Sequence, residues 1–98
     1  MTYAIDNLPP IHPGEFLRDE IEALGISARK LAAHIRVAPN AVTAILNGER
    51  SITAQMAIRL AQAFGTTPQY WVNLQAIHDL KHARLEMPAE ALQIEVYT

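Results

Sequence analysis

Between residues 14 and 86 apolar side chains recur every three or four positions, the period of helices that each bury one face. Cap residues divide the stretch into five such helices. The first covers about residues 14–24 with Phe16, Leu17, Ile21 and Leu24 inward; Pro13 suits a helix start, where its missing N–H goes unused, and Gly25 closes it as a left-handed cap. Ser27 caps a second helix, about 28–35, which turns Leu31, Ala32 and Ile35 inward. After the short turn Arg36-Val37-Ala38, a third helix opens on Pro39, buries Val42, Ile45 and Leu46, and stops at Asn47-Gly48. Thr53 caps a fourth, about 54–64, with Ala57, Leu60, Ala61 and Phe64 inward and Gly65 behind it. Thr67 and Pro68 repeat the cap-plus-proline start for a fifth, about 68–86.

The fifth helix breaks the pattern of one apolar stripe. Tyr70, Trp71, Val72, Leu74, Ile77, Leu80 and Leu85 wrap too far round it to face a single core, so part of this surface is expected to meet another chain. Pro88 ends the helical pattern. Beyond it Leu92, Ile94 and Val96 alternate with Gln93, Glu95 and Tyr97, the period of a short strand that would pair with a second copy or a partner's sheet edge. A frayed terminus is the alternative. The expected organisation is a non-helical lead over 1–13, an all-α, five-helix domain over 14–86, and a tail over 87–98 with a possible β-strand. Trp71, Leu74, Ile77, Leu92, Ile94 and Val96 are the expected dimer contacts.

The second and third helices, short and joined by a tight turn, have the arrangement of a helix-turn-helix, whose second helix enters a major groove. Ala32 is the small residue needed where the two come closest, and Val37 plugs the turn. With Val42 and Ile45 inward, Ala38, Asn40, Thr43, Ala44 and Asn47 face out. Asn can bridge the N6 and N7 edge of adenine, while Thr and Ala can touch a thymine methyl. Small outward residues that merely keep a helix soluble are the alternative.

Charge sharpens this picture. The chain carries a net −2, yet residues 1–26 sum to −4 and residues 27–50 to +3, through Arg29, Lys30, Arg36 and Arg50 against Glu49. Phosphate contact needs such a local cationic face, because screening confines its reach to about 10 Å at ordinary salt. Ninety-eight residues suffice for one small domain, and half of them are hydrophobic. The absence of cysteine excludes disulfides, thiolate metal sites and cysteine nucleophiles, which fits a reducing cytoplasm. No signal peptide or membrane span is expected.

The motifs "HPGE", "LNGERSIT" and "PQYWVNLQ", set around the helix-turn-helix, resemble the HigA family of antitoxins, also labelled VapI-type, within the lambda-repressor-like class. The resemblance covers about residues 12–80. It implies a dimeric protein that binds operator DNA, represses its own operon and neutralises a HigB- or RelE-like ribonuclease toxin. A free-standing repressor without a toxin is the alternative. Carried over by position, Pro39, Asn40, Thr43, Ala44 and Asn47 would read bases, while Ser27, Arg29, Lys30, Arg50 and Ser51 would contact phosphates; Arg36, whose position is not carried over, is expected as a further phosphate contact from its charge. Two positions depart from the family pattern. Arg36 stands where many relatives have Gly, and Ala44 where they often have a long polar residue.

Other chemistry finds little support. "HDLKH", residues 78–82, echoes the zinc-peptidase pattern but carries Asp79 in place of Glu and lacks an identifiable third ligand; a solvated face is expected. His12 and His34 read as ordinary polar positions, and "YWV", residues 70–72, as core or dimer contact rather than a stacking platform. The acids of the first helix, Glu15, Asp19, Glu20 and Glu22, either are simply solvated or steer a basic partner. No catalytic constellation, cofactor, metal or small-molecule substrate is expected.

Overall fold

Side-chain caps fix where four of the five helices begin. In the computed structural model, which describes residues 8–97, α1 spans Pro13–Leu24, α2 Ala28–Ile35, α3 Pro39–Leu46, α4 Ala54–Phe64 and α5 Pro68–Glu86. Ser27, Thr53 and Thr67 each accept a hydrogen bond from the backbone N–H three residues on, at 3.0, 3.2 and 3.2 Å. His12, not singled out in the sequence as a cap, caps α1, its Nδ1 accepting from the Gly14 N–H two residues on at 2.9 Å.

The ends of α1, α2 and α3 share one device, a left-handed residue whose N–H and whose successor's N–H bond back to the last turn. In α3, Gly48 donates to Ile45 O at 3.0 Å and Glu49 to Ala44 O at 2.8 Å. In α2 the left-handed residue is Arg36, with φ 65°.

The core is a cluster contributed by all five helices, with Leu17, Leu31, Ala32, Val42, Ile45, Ala57, Leu60 and Trp71 sealed from solvent. Ile52, in the loop after α3, and Met56 belong to it as well, beyond the positions that periodicity alone marked. Two expectations are corrected. Leu24 is exposed, because α1 meets the core through Leu17 and Ile21. Trp71 is fully buried within its own chain, so it is not a dimer contact; its ring lies against Phe64 and Tyr70, and its Nε1 donates to Thr66 Oγ1 at 2.9 Å.

The tail takes no strand form within the single chain. Pro88 leads into a single 3-10 turn, Ala89–Leu92, and residues 93–97 form no strand. Alternation alone cannot make a strand, whose N–H and C=O groups require a neighbouring backbone, and no strand occurs among the described residues. The far half of α5 and this tail project from the core, giving extents of 51 × 23 × 22 Å. The radius of gyration of 16.1 Å exceeds the roughly 13 Å usual for a compact domain of this length.

The first turn of α1 rests on the end of α3. A Cβ added at Gly14 would lie 2.0 Å from the Ile45 carbonyl oxygen, so only glycine permits this contact. Arg18, one turn along, donates to Leu46 O at 3.3 Å. Gly14→Ala therefore forces the two helices apart and is expected to destabilise the fold by about 2 kcal/mol, lowering the thermal midpoint by roughly 10 °C in a calorimetric or circular-dichroism melt.

Candidate nucleic-acid interface

α3 is eight residues long and too short to persist by itself, so its outward face exists only because its inward face is anchored. Val42 and Ile45 are sealed into the core at 0 and 1 % exposure. That fixes the rotation of the helix and leaves Pro39, Asn40, Thr43 and Asn47 exposed and Ala44 half-buried. Asn40, Thr43, Ala44 and Asn47 follow the spacing of a single helical stripe. Thr43 Oγ1 donates to Asn40 O at 3.4 Å, so its hydroxyl oxygen remains an acceptor.

The six expected phosphate contacts, Ser27, Arg29, Lys30, Arg36, Arg50 and Ser51, are all exposed. Three elements carry them: the start of α2, the turn between α2 and α3, and the loop leaving α3. Ser27 Oγ is occupied as an acceptor by the Lys30 N–H, so its own proton remains a donor. Arg36 sits in the left-handed position that favours glycine, the one described non-glycine residue with positive φ. A side chain costs roughly 1 kcal/mol there, a strain retained at a cationic site. Of the remaining expected dimer contacts, Ile77, Leu92, Ile94 and Val96 are exposed, and Leu74 packs partly on its own core.

Three supporting residues escaped the sequence reading. Arg59 of α4 donates to Ile35 O, at 2.6 Å, and so ties down the end of α2 just before Arg36. Gln75 of α5 is buried, its Oε1 accepting from the Ile52 N–H at 2.8 Å and its Nε2 donating to Asp79 Oδ1 at 2.9 Å. His12 lies edge-on to His78, ring centroids 5.0 Å apart. Their sequence signal is weak, since each is a common polar residue whose role depends on what another element brings to it.

The histidines of α5 pair with acids on their own helix: His78 Nδ1 lies 3.2 Å from Asp79 Oδ1, and His82 Nδ1 3.2 Å from Glu86 Oε1. Among the described residues no three His, Asp or Glu side chains converge on a metal position. The Gln75 amide holds the Asp79 carboxyl below the usual carboxylate range. Burial, reinforced by the nearby His78, holds the His12 imidazole below its ordinary value against the opposing pull of Asp79 and Glu15.

An exposed short helix, held at a fixed rotation behind a tight turn from a second helix, defines a helix-turn-helix protein. Residues 17–71 match the family model described as helix-turn-helix. Virulence-associated protein I of Dichelobacter nodosus is 43 % identical over 79 residues, 80 % of this chain and 73 % of that protein. Among solved structures, an addiction-module antidote protein of the HigA family from Coxiella burnetii superposes with a TM-score of 0.87 at 48 % identity, covering 92 % of this chain and all of that one. A Pseudomonas aeruginosa protein solved in complex with its operator DNA gives 0.87 at 39 % identity, over 93 % of this chain and 100 % of that one. The chain belongs to the HigA, or VapI-type, antitoxin family of helix-turn-helix proteins.

Two expected outcomes follow from this geometry. Arg36→Gly relieves the left-handed strain and raises stability by about 1 kcal/mol in denaturant titration. His12 caps α1 only while Nδ1 is unprotonated. With its pKa lowered on folding, its contribution is complete above about pH 6.5 and lost as pH falls through the lowered folded value. His12→Asn keeps a capping acceptor and removes that titration, so its stability should fall less steeply between about pH 7 and about pH 5 than that of the unmodified protein.

Proposed function

We propose that this protein is a DNA-binding antitoxin that represses its own operon and neutralises a HigB- or RelE-like ribonuclease toxin. As a homodimer it sets two copies of α3 into successive major grooves, about 34 Å apart on a palindromic operator. The observation that carries the reading is α3 itself: an exposed stripe of short polar side chains on a helix whose opposite face is locked into the core. The operator-bound Pseudomonas aeruginosa protein supports the DNA partner, and the antidote protein from Coxiella burnetii the toxin partner.

In this reading Asn40, Thr43, Ala44 and Asn47 meet base edges with Pro39 at the entry of the helix, and the cations and hydroxyls around them grip phosphates. The apolar surface of α5 at Val72, Ile77 and Leu80, continued by Leu92, Ile94 and Val96, is the surface for the second copy. The acids exposed on α1, Glu15, Asp19 and Glu22, offer a complementary field to a basic toxin.

Binding to a duplex of the protein's own upstream promoter is expected to weaken steeply with salt, and Arg36→Gly to reduce the slope of log affinity against log salt by about one. Asn40→Ala with Thr43→Ala should lower the ratio of promoter to random-sequence affinity by tenfold or so while leaving the salt slope in place. An unchanged ratio refutes the assignment of base readout to α3. Co-expression with the neighbouring open reading frame should yield a co-purifying complex; a protein that binds its promoter yet captures no such product is a free-standing repressor.

A further inference from the structure

Gln75 is the only buried polar side chain among the described residues, and it lies on α5, far along the sequence from the groove-facing helix. A buried amide is tolerated only when both its ends are satisfied. Here the two ends face opposite demands. The Ile52 N–H can only donate, so it requires the amide oxygen, while the Asp79 carboxylate can only accept, so it requires the amide nitrogen. The side chain consequently has one correct orientation.

Ile52 follows directly on Arg50 and Ser51, and its own side chain is buried at 4 % exposure. The loop that leaves α3 is therefore pinned from α5 at its last residue before Thr53 caps α4, by a single backbone hydrogen bond to a side chain. An apolar residue at position 75 would fill the same space. It would leave the Ile52 N–H without an acceptor, and the loop would have to move toward water to recover one.

We propose that Gln75 is a positioning residue for DNA binding: through the Ile52 N–H it sets where Arg50 and Ser51 stand against the phosphate backbone, and Asp79 holds its amide in the serving orientation. The inference rests on the DNA-binding reading above and adds to it a determinant on α5. The same helix that carries the exposed apolar surface thereby also fixes a phosphate-contacting loop.

The test uses the full chain on a duplex of its own upstream promoter, with affinity measured across a salt series and folded fraction followed by circular dichroism. Gln75→Glu sets a carboxylate against Asp79 and is expected to weaken binding by about tenfold and to lower the salt slope by about one. Gln75→Glu combined with Asp79→Asn exchanges donor for acceptor, lets Glu accept from both Ile52 N–H and Asn, and should restore affinity to within about twofold and the slope in full. Gln75→Met preserves volume and helix propensity, remains folded, and should lose the same single unit of slope. A merely structural role changes the folded fraction and leaves the slope alone. An unchanged slope in Gln75→Met, or a double variant no better than Gln75→Glu, overturns the proposal. If the unmodified protein itself shows no salt-dependent binding, the DNA-binding reading falls first and this one with it.

Discussion

The contact of Gly14 with the Ile45 carbonyl is the constraint on which the exposed helix depends. An eight-residue helix gains little from its own hydrogen bonds, so α3 has to be held from outside. Val42 and Ile45 hold its flank, Gly14 approaches its last turn too closely for any Cβ, and Arg18 takes up the Leu46 carbonyl. With its own left-handed cap at Gly48, the end of α3 has its carbonyls bonded and its rotation fixed. The first three residues of the "HPGE" motif are thus a mechanical fixture: His12 caps α1, Pro13 starts it, Gly14 admits α3, and none of the three needs to touch a ligand.

The same logic extends outward from α3. Two of the three segments expected to grip phosphate are each tied to a different supporting helix. The turn at Arg36 follows a carbonyl held by Arg59 of α4, and the loop at Arg50 and Ser51 precedes an N–H held by Gln75 of α5. Preorganised contacts of this kind lose little entropy on association. The strained Arg36 is the local exception, where a cation occupies a conformation that would favour glycine. Stability given up at one residue, about 1 kcal/mol, is compatible with a fold whose other left-handed caps are glycine.

Helix boundaries were legible because their signals are local. Ser27, Thr53 and Thr67 cap the N–H groups three residues away, and Gly25, Gly48 and Gly65 take the left-handed φ that other residues avoid. The outward stripe of α3 was legible for the same reason, since the spacing of Val42 and Ile45 leaves Asn40, Thr43 and Asn47 no other side. Trp71 was misplaced because periodicity says that a side chain is apolar, not which of two apolar surfaces it joins. The tail is a different case: alternation at Leu92, Ile94 and Val96 describes a surface that suits a strand, while a strand exists only when another backbone supplies its hydrogen bonds.

The amino-acid order by itself determined five helices, their ends, the charge set around the third, and which of its residues face away from the core. These are consequences of backbone geometry within a few residues. Only the tertiary structure decided that His12 is a cap, that Arg59 and Gln75 hold the flanks of the exposed helix, and that Gly14 must be glycine. Those roles arise between elements far apart in sequence, where a polar side chain or a missing Cβ acquires meaning from the backbone group that packing brings against it.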